Sequence, residues 1–89
     1  MPQWEIIASG RVQGVGFRYH AQASARSYGI TGFVRNLPDG TVHILACGSR
    51  EQLQNFCDLI RSGNSFSRVK TLSIEEIETT KEYHEFEIR

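Results

Sequence analysis

The chain has 89 residues, enough for one small domain with a single two-layer core. Ten Lys and Arg balance ten Asp and Glu, and this neutrality argues against a dedicated nucleic-acid binder, which normally carries a basic excess. No apolar run approaches the roughly 20 residues of a membrane span, and Met1-Pro2-Gln3-Trp4-Glu5 lacks the basic and apolar regions of a secretory leader.

The expectation is therefore a single cytoplasmic domain over residues 1–89, monomeric by default. Cys47 and Cys57 form no C-x-x-C and no metal-type pair, so both are expected as free thiols.

Residues 3–12 alternate, with Trp4, Ile6, Ala8, Gly10 and Val12 on one face, as in a half-buried strand. From Phe17 the spacing turns helical, with Phe17, Ala21, Ser24/Ala25 and Tyr28 on one stripe and Gly29 placed to close the helix. Residues 30–36 read as a second strand. Leu37-Pro38-Asp39-Gly40 reads as a hairpin turn, and residues 41–47 as its partner strand.

Ser49 and Gln52 form a capping box. Leu53, Phe56, Cys57 and Ile60 follow at i, i+3, i+4 and i+7, and Gly63 ends this second helix. Residues 69–78 are strand-like, with a slip in alternation between Leu72/Ile74 and Ile77 that predicts a bulge or an early end. Thr79 to Glu82 is turn-like, and His84, Phe86 and Ile88 share one face of a last short strand.

The order β-α-β-β-α-β matches the α+β, ferredoxin-like split βαβ pattern. It predicts an antiparallel sheet in the order 4-1-3-2 with both helices on one face. The C-terminal segment could add a short fifth strand.

Two stretches carry chemistry. In Gly10-Arg11-Val12-Gln13-Gly14-Val15-Gly16-Phe17-Arg18, two glycines lead from a central strand into a helix start. Glycine lets backbone N–H groups turn toward one point, and a helix start adds unpaired donors and partial positive charge. Arg18 in the first turn completes a site for a phosphate or carboxylate. A plain strand-to-helix turn fits these residues equally well. A dinucleotide fingerprint would need Gly or Ala where Tyr19 stands, and no Gly-Lys-Ser/Thr marks a nucleotide phosphate loop.

The second stretch is Gly32-Phe33-Val34-Arg35-Asn36, with Gly40, Val42 and Gly48 beyond it. The Asn36 amide can donate and accept at once, which suits it to hold a water. Asn is also common before a tight turn, and in isolation the turn role is the simpler explanation.

Together the two stretches resemble the acylphosphatase family. The resemblance rests on Gly10-x-Val12-Gln13-Gly14-Val15-x-Phe17-Arg18, on Gly32-Phe33-Val34-Arg35-Asn36-x-x-x-Gly40-x-Val42 with Gly48, and on Phe86-x-Ile88-Arg89. It covers essentially the whole chain. Three features depart from the family pattern. Ala8 stands where a larger aliphatic residue is usual, and Phe33 replaces the more frequent tryptophan. The loop Ser62-Gly63-Asn64-Ser65-Phe66-Ser67 lacks a Gly-Pro start.

The resemblance implies hydrolysis of acyl phosphates to a carboxylate and inorganic phosphate, on small-molecule substrates and without nucleic acid or membrane. Gln13, Gly14, Val15, Gly16, Phe17 and Arg18 would bind the phosphoryl group, Arg18 through its guanidinium and the rest through backbone N–H groups. Asn36 would orient the attacking water. Such chemistry calls for no metal and no cofactor, because a carboxylate leaves without a general acid and the loop with Arg18 supplies positive field.

Three other functions compete. One is a non-catalytic anion-binding module, another an RNA-binding domain of similar topology, and the third a carbamoyl-phosphate-channelling domain of a larger maturation enzyme. Retention of Arg18 and Asn36, neutral charge and the chain's 89-residue length favour the stand-alone enzyme. His20, His43 and His84 are scattered and are expected at surface or edge positions. Cys57 is expected in the core, and Cys47 on the uncovered side of the sheet. Arg11, Arg35 and the acidic residues from Glu75 to Glu87 are expected to be solvated.

Overall fold

The computed structural model describes residues 1–78 and 81–89. Its elements in chain order are β1 (Gln3–Arg11), α1 (Phe17–Ser27), β2 (Thr31–Asn36), β3 (Val42–Cys47), α2 (Arg50–Ser62), β4 (Arg68–Ile77) and β5 (Phe86–Ile88). The sheet order is β4-β1-β3-β2-β5. β1, β3 and β2 occupy its interior, which places the ends of β1 and β2 beside the entry to α1.

Period-two alternation decides what each face does. Ile6, Ile44 and Val34 lie in one row across β1, β3 and β2, and all three are fully buried under the helices. Ala8 and Val42 form the next row, and Asn36 extends it on β2. Asn36 thus faces the helix side of the sheet, at the point where the apolar row meets solvent.

Phe17, Ala21, Ser24 and Ala25 are the buried stripe of α1, and Leu53, Phe56, Cys57 and Ile60 that of α2. Small residues on α1 allow the helix to lie close to the sheet. α2 begins at the expected box: the Ser49 hydroxyl accepts from Gln52 N–H (3.1 Å), and Gln52 Oε1 accepts from Ser49 N–H (2.8 Å). A cap of this kind contributes about 1 kcal/mol.

Three expectations are corrected. The sheet is mixed rather than wholly antiparallel, because β5 runs parallel to β2 at the far edge. The chain crosses from β4 to that edge, so Phe86 drops into the core edge-on to Phe56. Gly32 N–H donates to Glu85 O (3.0 Å) and Arg89 N–H to Val34 O (2.8 Å), which ties the edge down.

Next, no early end or bulge occurs between Leu72 and Ile77. The register shift lies opposite Ser9/Gly10, where Lys70 is the extra residue. Ile77 pairs with Gln3 and belongs to the open face, hence the apparent slip. The turn expected over 79–82 falls partly on Thr79 and Thr80, outside the described residues.

Last, His43 is not a surface residue. It is 8% exposed on the open face, where Nδ1 accepts from Arg35 Nε (3.0 Å) and Nε2 lies 3.0 Å from Glu5 Oε1. Phe33, with Arg89 stacked 4.1 Å from its ring centroid, covers its side. Arg35 stands opposite His43 across the β2–β3 hairpin, whereas Glu5 comes from β1 and carries no signature in local spacing. His20 is half-buried, with Nε2 3.0 Å from Leu59 O, and His84 is exposed. Cys57 is in the core and Cys47 on the open face, both as free thiols.

Candidate active site

Beyond Val12, the last inward residue after β1, residues 13–16 turn the chain into α1. Gly14 (φ 71°) and Gly16 (φ 77°) are both left-handed, a conformation that costs other residues about 1–2 kcal/mol. A Cβ on Gly14 would meet nothing within 4 Å, so its requirement is torsional. A Cβ on Gly16 would also lie 3.3 Å from Asn64 Nδ2. Alternation of left- and right-handed residues turns successive N–H groups toward a common concavity, a known way of making an anion site.

Gly16 is the N-cap of α1 and receives no side-chain cap, and the first turn holds no acidic residue. The first intrahelical bond runs from His20 N–H to Gly16 O (3.1 Å). The N–H groups of Phe17, Arg18 and Tyr19 therefore precede any helical acceptor, and the positive end of the helix dipole is uncompensated. Arg18 adds a full charge. Among the described residues its one hydrogen bond is a long one, Nη1 to the main-chain oxygen of Arg89 at 3.4 Å. β5 thus sets the resting place of the guanidinium and leaves most of its donors unused.

Asn36 faces this loop from the end of β2. Its amide makes no hydrogen bond among the described residues, so the turn does not employ it. The turn is closed instead by Asp39, whose Oδ1 accepts from Thr41 N–H (2.9 Å) and Thr41 Oγ1 (2.6 Å), and by Leu37 N–H donating to Thr41 O (2.9 Å). The Thr41 hydroxyl and N–H hold the Asp39 carboxyl below its ordinary pKa, so it stays ionised and engaged.

Val12, Gly14, Gly16, Phe17, Arg18, Tyr19 and Asn36 enclose a cavity of about 70 Å³. That is far below the roughly 300–1,000 Å³ that organic ligands occupy. It suits a small tetrahedral anion with the remainder of its molecule outside. No carboxylate, histidine or cysteine lines it. Among the described residues no cluster of three or more His, Cys, Asp or Glu is arranged to hold a metal ion.

The structure brings together Gly14, Gly16, Phe17, Arg18 and Asn36 of the residues expected from sequence. Gln13 and Val15 do not line the cavity. The Gln13 side chain turns away, and its Nε2 donates to Leu37 O and Thr41 O, each at 2.8 Å. It thereby clamps the glycine loop to the β2–β3 turn, holding Asn36 and Arg18 in one frame.

Sequence reasoning passed over Val12, the Tyr19 wall, the Gln13 clamp and Asn64, whose Nδ2 donates to Val15 O (2.8 Å). Tyr19 could have been found as the third residue of the helix, beside Arg18. The Gln13 contacts span 24 and 28 positions and the Asn64 contact 49, and no local pattern signals them.

The acylphosphatase family model matches residues 4–88. The chain is 47% identical to an acylphosphatase of Bacillus velezensis, over 99% of this chain and 98% of that one. It superposes on the crystal structure of acylphosphatase from Bacillus subtilis with a TM-score of 0.96 at 43% identity, covering 100% of this chain and 99% of the other. It also superposes on HypF of T. kodakarensis with a TM-score of 0.87 at 28% identity, covering 100% of this chain but only 12% of that protein. With this family match and near-complete coverage of relatives of its own length, the chain belongs to the acylphosphatase family.

Proposed function

We infer that the chain hydrolyses the carboxyl-phosphate bond of acyl phosphates, releasing a carboxylate and inorganic phosphate. The observation that carries this reading is the convergence, in one small cavity, of uncapped helix N–H groups, the Arg18 guanidinium and an Asn36 amide that the fold does not use.

In this reading the phosphoryl oxygens accept hydrogen bonds from the backbone N–H groups of Gly14, Gly16 and Phe17 and from Arg18. Asn36 holds a water in line with the bond to be broken. The water oxygen attacks phosphorus, the P–O bond to the acyl group breaks, and the carboxylate departs with the electron pair. The water proton passes to a phosphoryl oxygen, so no protein base is required. Charge on the equatorial oxygens is met by preorganised donors, where such stabilisation is most effective. The acyl group stays outside a cavity of about 70 Å³, beside Tyr19, so several acyl groups should be accepted.

The same reading makes this a monomeric cytoplasmic domain spanning residues 1–89, acting on small molecules rather than nucleic acid or membranes. Zero formal net charge supports the exclusion of nucleic acid, and no described helix is long and apolar enough to cross a membrane.

Release of phosphate from benzoyl phosphate and acetyl phosphate in the presence of EDTA tests the reading. Turnover that inorganic phosphate inhibits competitively is expected, with kcat flat between about pH 6 and 8 because no group with a pKa in that range lines the cavity. Tight phosphate binding without turnover would leave a binding module. A bell-shaped profile would place a titrating base in the mechanism.

A further inference from the structure

Loop 63–67 belongs to none of the motifs, yet it touches the phosphate loop at one point. Asn64 Nδ2 donates to Val15 O at 2.8 Å. The orientation of the Asn64 amide is fixed from its other end, since Oδ1 accepts from Ser67 N–H (2.8 Å) and Phe66 N–H (3.1 Å). The Asn64 N–H itself donates to Ser67 Oγ (2.8 Å). With the carbonyl end committed to two N–H donors, only the NH₂ end can face Val15.

We propose that Asn64 is a positioning residue for the anion site, acting through the peptide that joins Val15 to Gly16. That peptide is a rigid trans plane, in which the Val15 C=O and the Gly16 N–H point in opposite directions. Anchoring the oxygen on Asn64 therefore aims the Gly16 N–H away from loop 63–67 and toward the cavity that Gly16 lines.

Without that anchor, the plane is held only by the ψ of Val15 and the φ of the left-handed Gly16, and glycine restrains its own torsions least of all residues. The plane would be free to rotate and the donor would lose its aim. A proline at position 64 would have no side-chain donor for this purpose, so the departure noted in sequence supplies a specific strut. This inference rests on residues 13–18 binding phosphate.

The test is titration of inorganic phosphate into the wild-type chain, Asn64→Ala and Ser67→Ala, following amide resonances and melting temperature. Net loss of one hydrogen bond corresponds to about a 3- to 10-fold rise in Kd. Asn64→Ala is expected to show that rise, an equal rise in KM for acyl phosphates, and a diminished phosphate-induced shift of the Gly16 amide. Ser67→Ala breaks bonds within the loop but leaves the strut, so it should lower the melting temperature with Kd unchanged.

Should Asn64→Ala fail to fold, Asn64→Asp keeps both acceptor bonds and loses only the donor. Its Kd should still rise at 0.5 M salt, where a Debye length of about 4 Å mutes the new charge. Equal rises in Asn64→Ala and Ser67→Ala would overturn the proposal, as would an unchanged Kd and Gly16 shift in the Asn64 variants. A wild-type chain that binds no phosphate would overturn the anion-site reading and this inference with it.

Discussion

The two ends of the sheet differ in a way that separates volume from function. Where β1 and β2 begin, a groove of about 540 Å³ runs past Gln3, Thr31, Cys47 and Tyr83. Where they end, the cavity at Arg18 and Asn36 holds about 70 Å³. The larger groove has the size of an ordinary ligand pocket, but its charged side chains, Lys81 and Glu82, are of opposite sign. The buried Oε1 of Gln3 beside it has no hydrogen-bond partner among the described residues. The smaller cavity has donors of one kind aimed at one place and an amide left unspent. Convergence of unsatisfied groups, rather than space, marks the end where chemistry is expected.

The largest effect should come from Arg18→Ala, which removes the only full charge in the small cavity. Both inorganic phosphate binding and turnover should disappear, with activity down by more than about 10³-fold. Retained phosphate affinity would break the comparison at once.

Asn36→Ala should lower kcat by about 10²–10³-fold, the scale of a positioned donor, while the inhibition constant for phosphate stays near the wild-type value. Near-normal kcat would mean that Asn36 does not hold the water.

Gln13→Ala removes the clamp between the two halves of the site without removing any group from the cavity. Two net hydrogen bonds of about 1 kcal/mol each set an upper bound near 30-fold on kcat/KM. An effect confined to melting temperature would show that the halves stay aligned without it.

Smaller still is the expected response of the thiols. Burial pushes Cys57 up to about 11 and raises Cys47 as well. Between the ordinary thiol value of 9.0 and about 11, the unfolded chain has lost the Cys57 proton and the native chain has kept it. The native state then binds more protons, so stability is complete below that window and falls as pH rises through it. Urea titrations should show a shallower alkaline decline for Cys57→Ala than for the wild type. Cys47 faces the large groove, so Cys47→Ser should leave kcat/KM unchanged. A loss there would give the larger end a part in the reaction.

The legible parts of the fold were those set by local pattern. The capping box at Ser49 and Gln52, the αL Gly14 and Gly16, and the buried stripe of α2 follow from spacing of a few residues. Arg18 and Asn36 could be named because each lies within a compact, correctly spaced motif. What sequence left dark depends on residues brought together from afar. The parallel pairing of β5 needs the chain to cross the sheet before Phe86 finds Phe56. His43 gains Phe33 and Arg35 across its own hairpin, but its burial is completed by Glu5 from β1 and Arg89 beyond β5, which stacks on Phe33. The cavity itself was half legible: its donors are local, while the Gln13 and Asn64 bonds that hold them join distant segments.

The most direct measurement is a titration of inorganic phosphate into the EDTA-treated wild-type chain, followed residue by residue through backbone amide chemical shifts. Saturable shifts should concentrate on Gly14, Gly16, Phe17, Arg18 and Tyr19 and on the Asn36 side-chain amide, with Gln3, Thr31 and Cys47 unmoved. Shifts centred on the large groove, or none at any concentration that inhibits turnover, would contradict a phosphate site at the small end of the sheet.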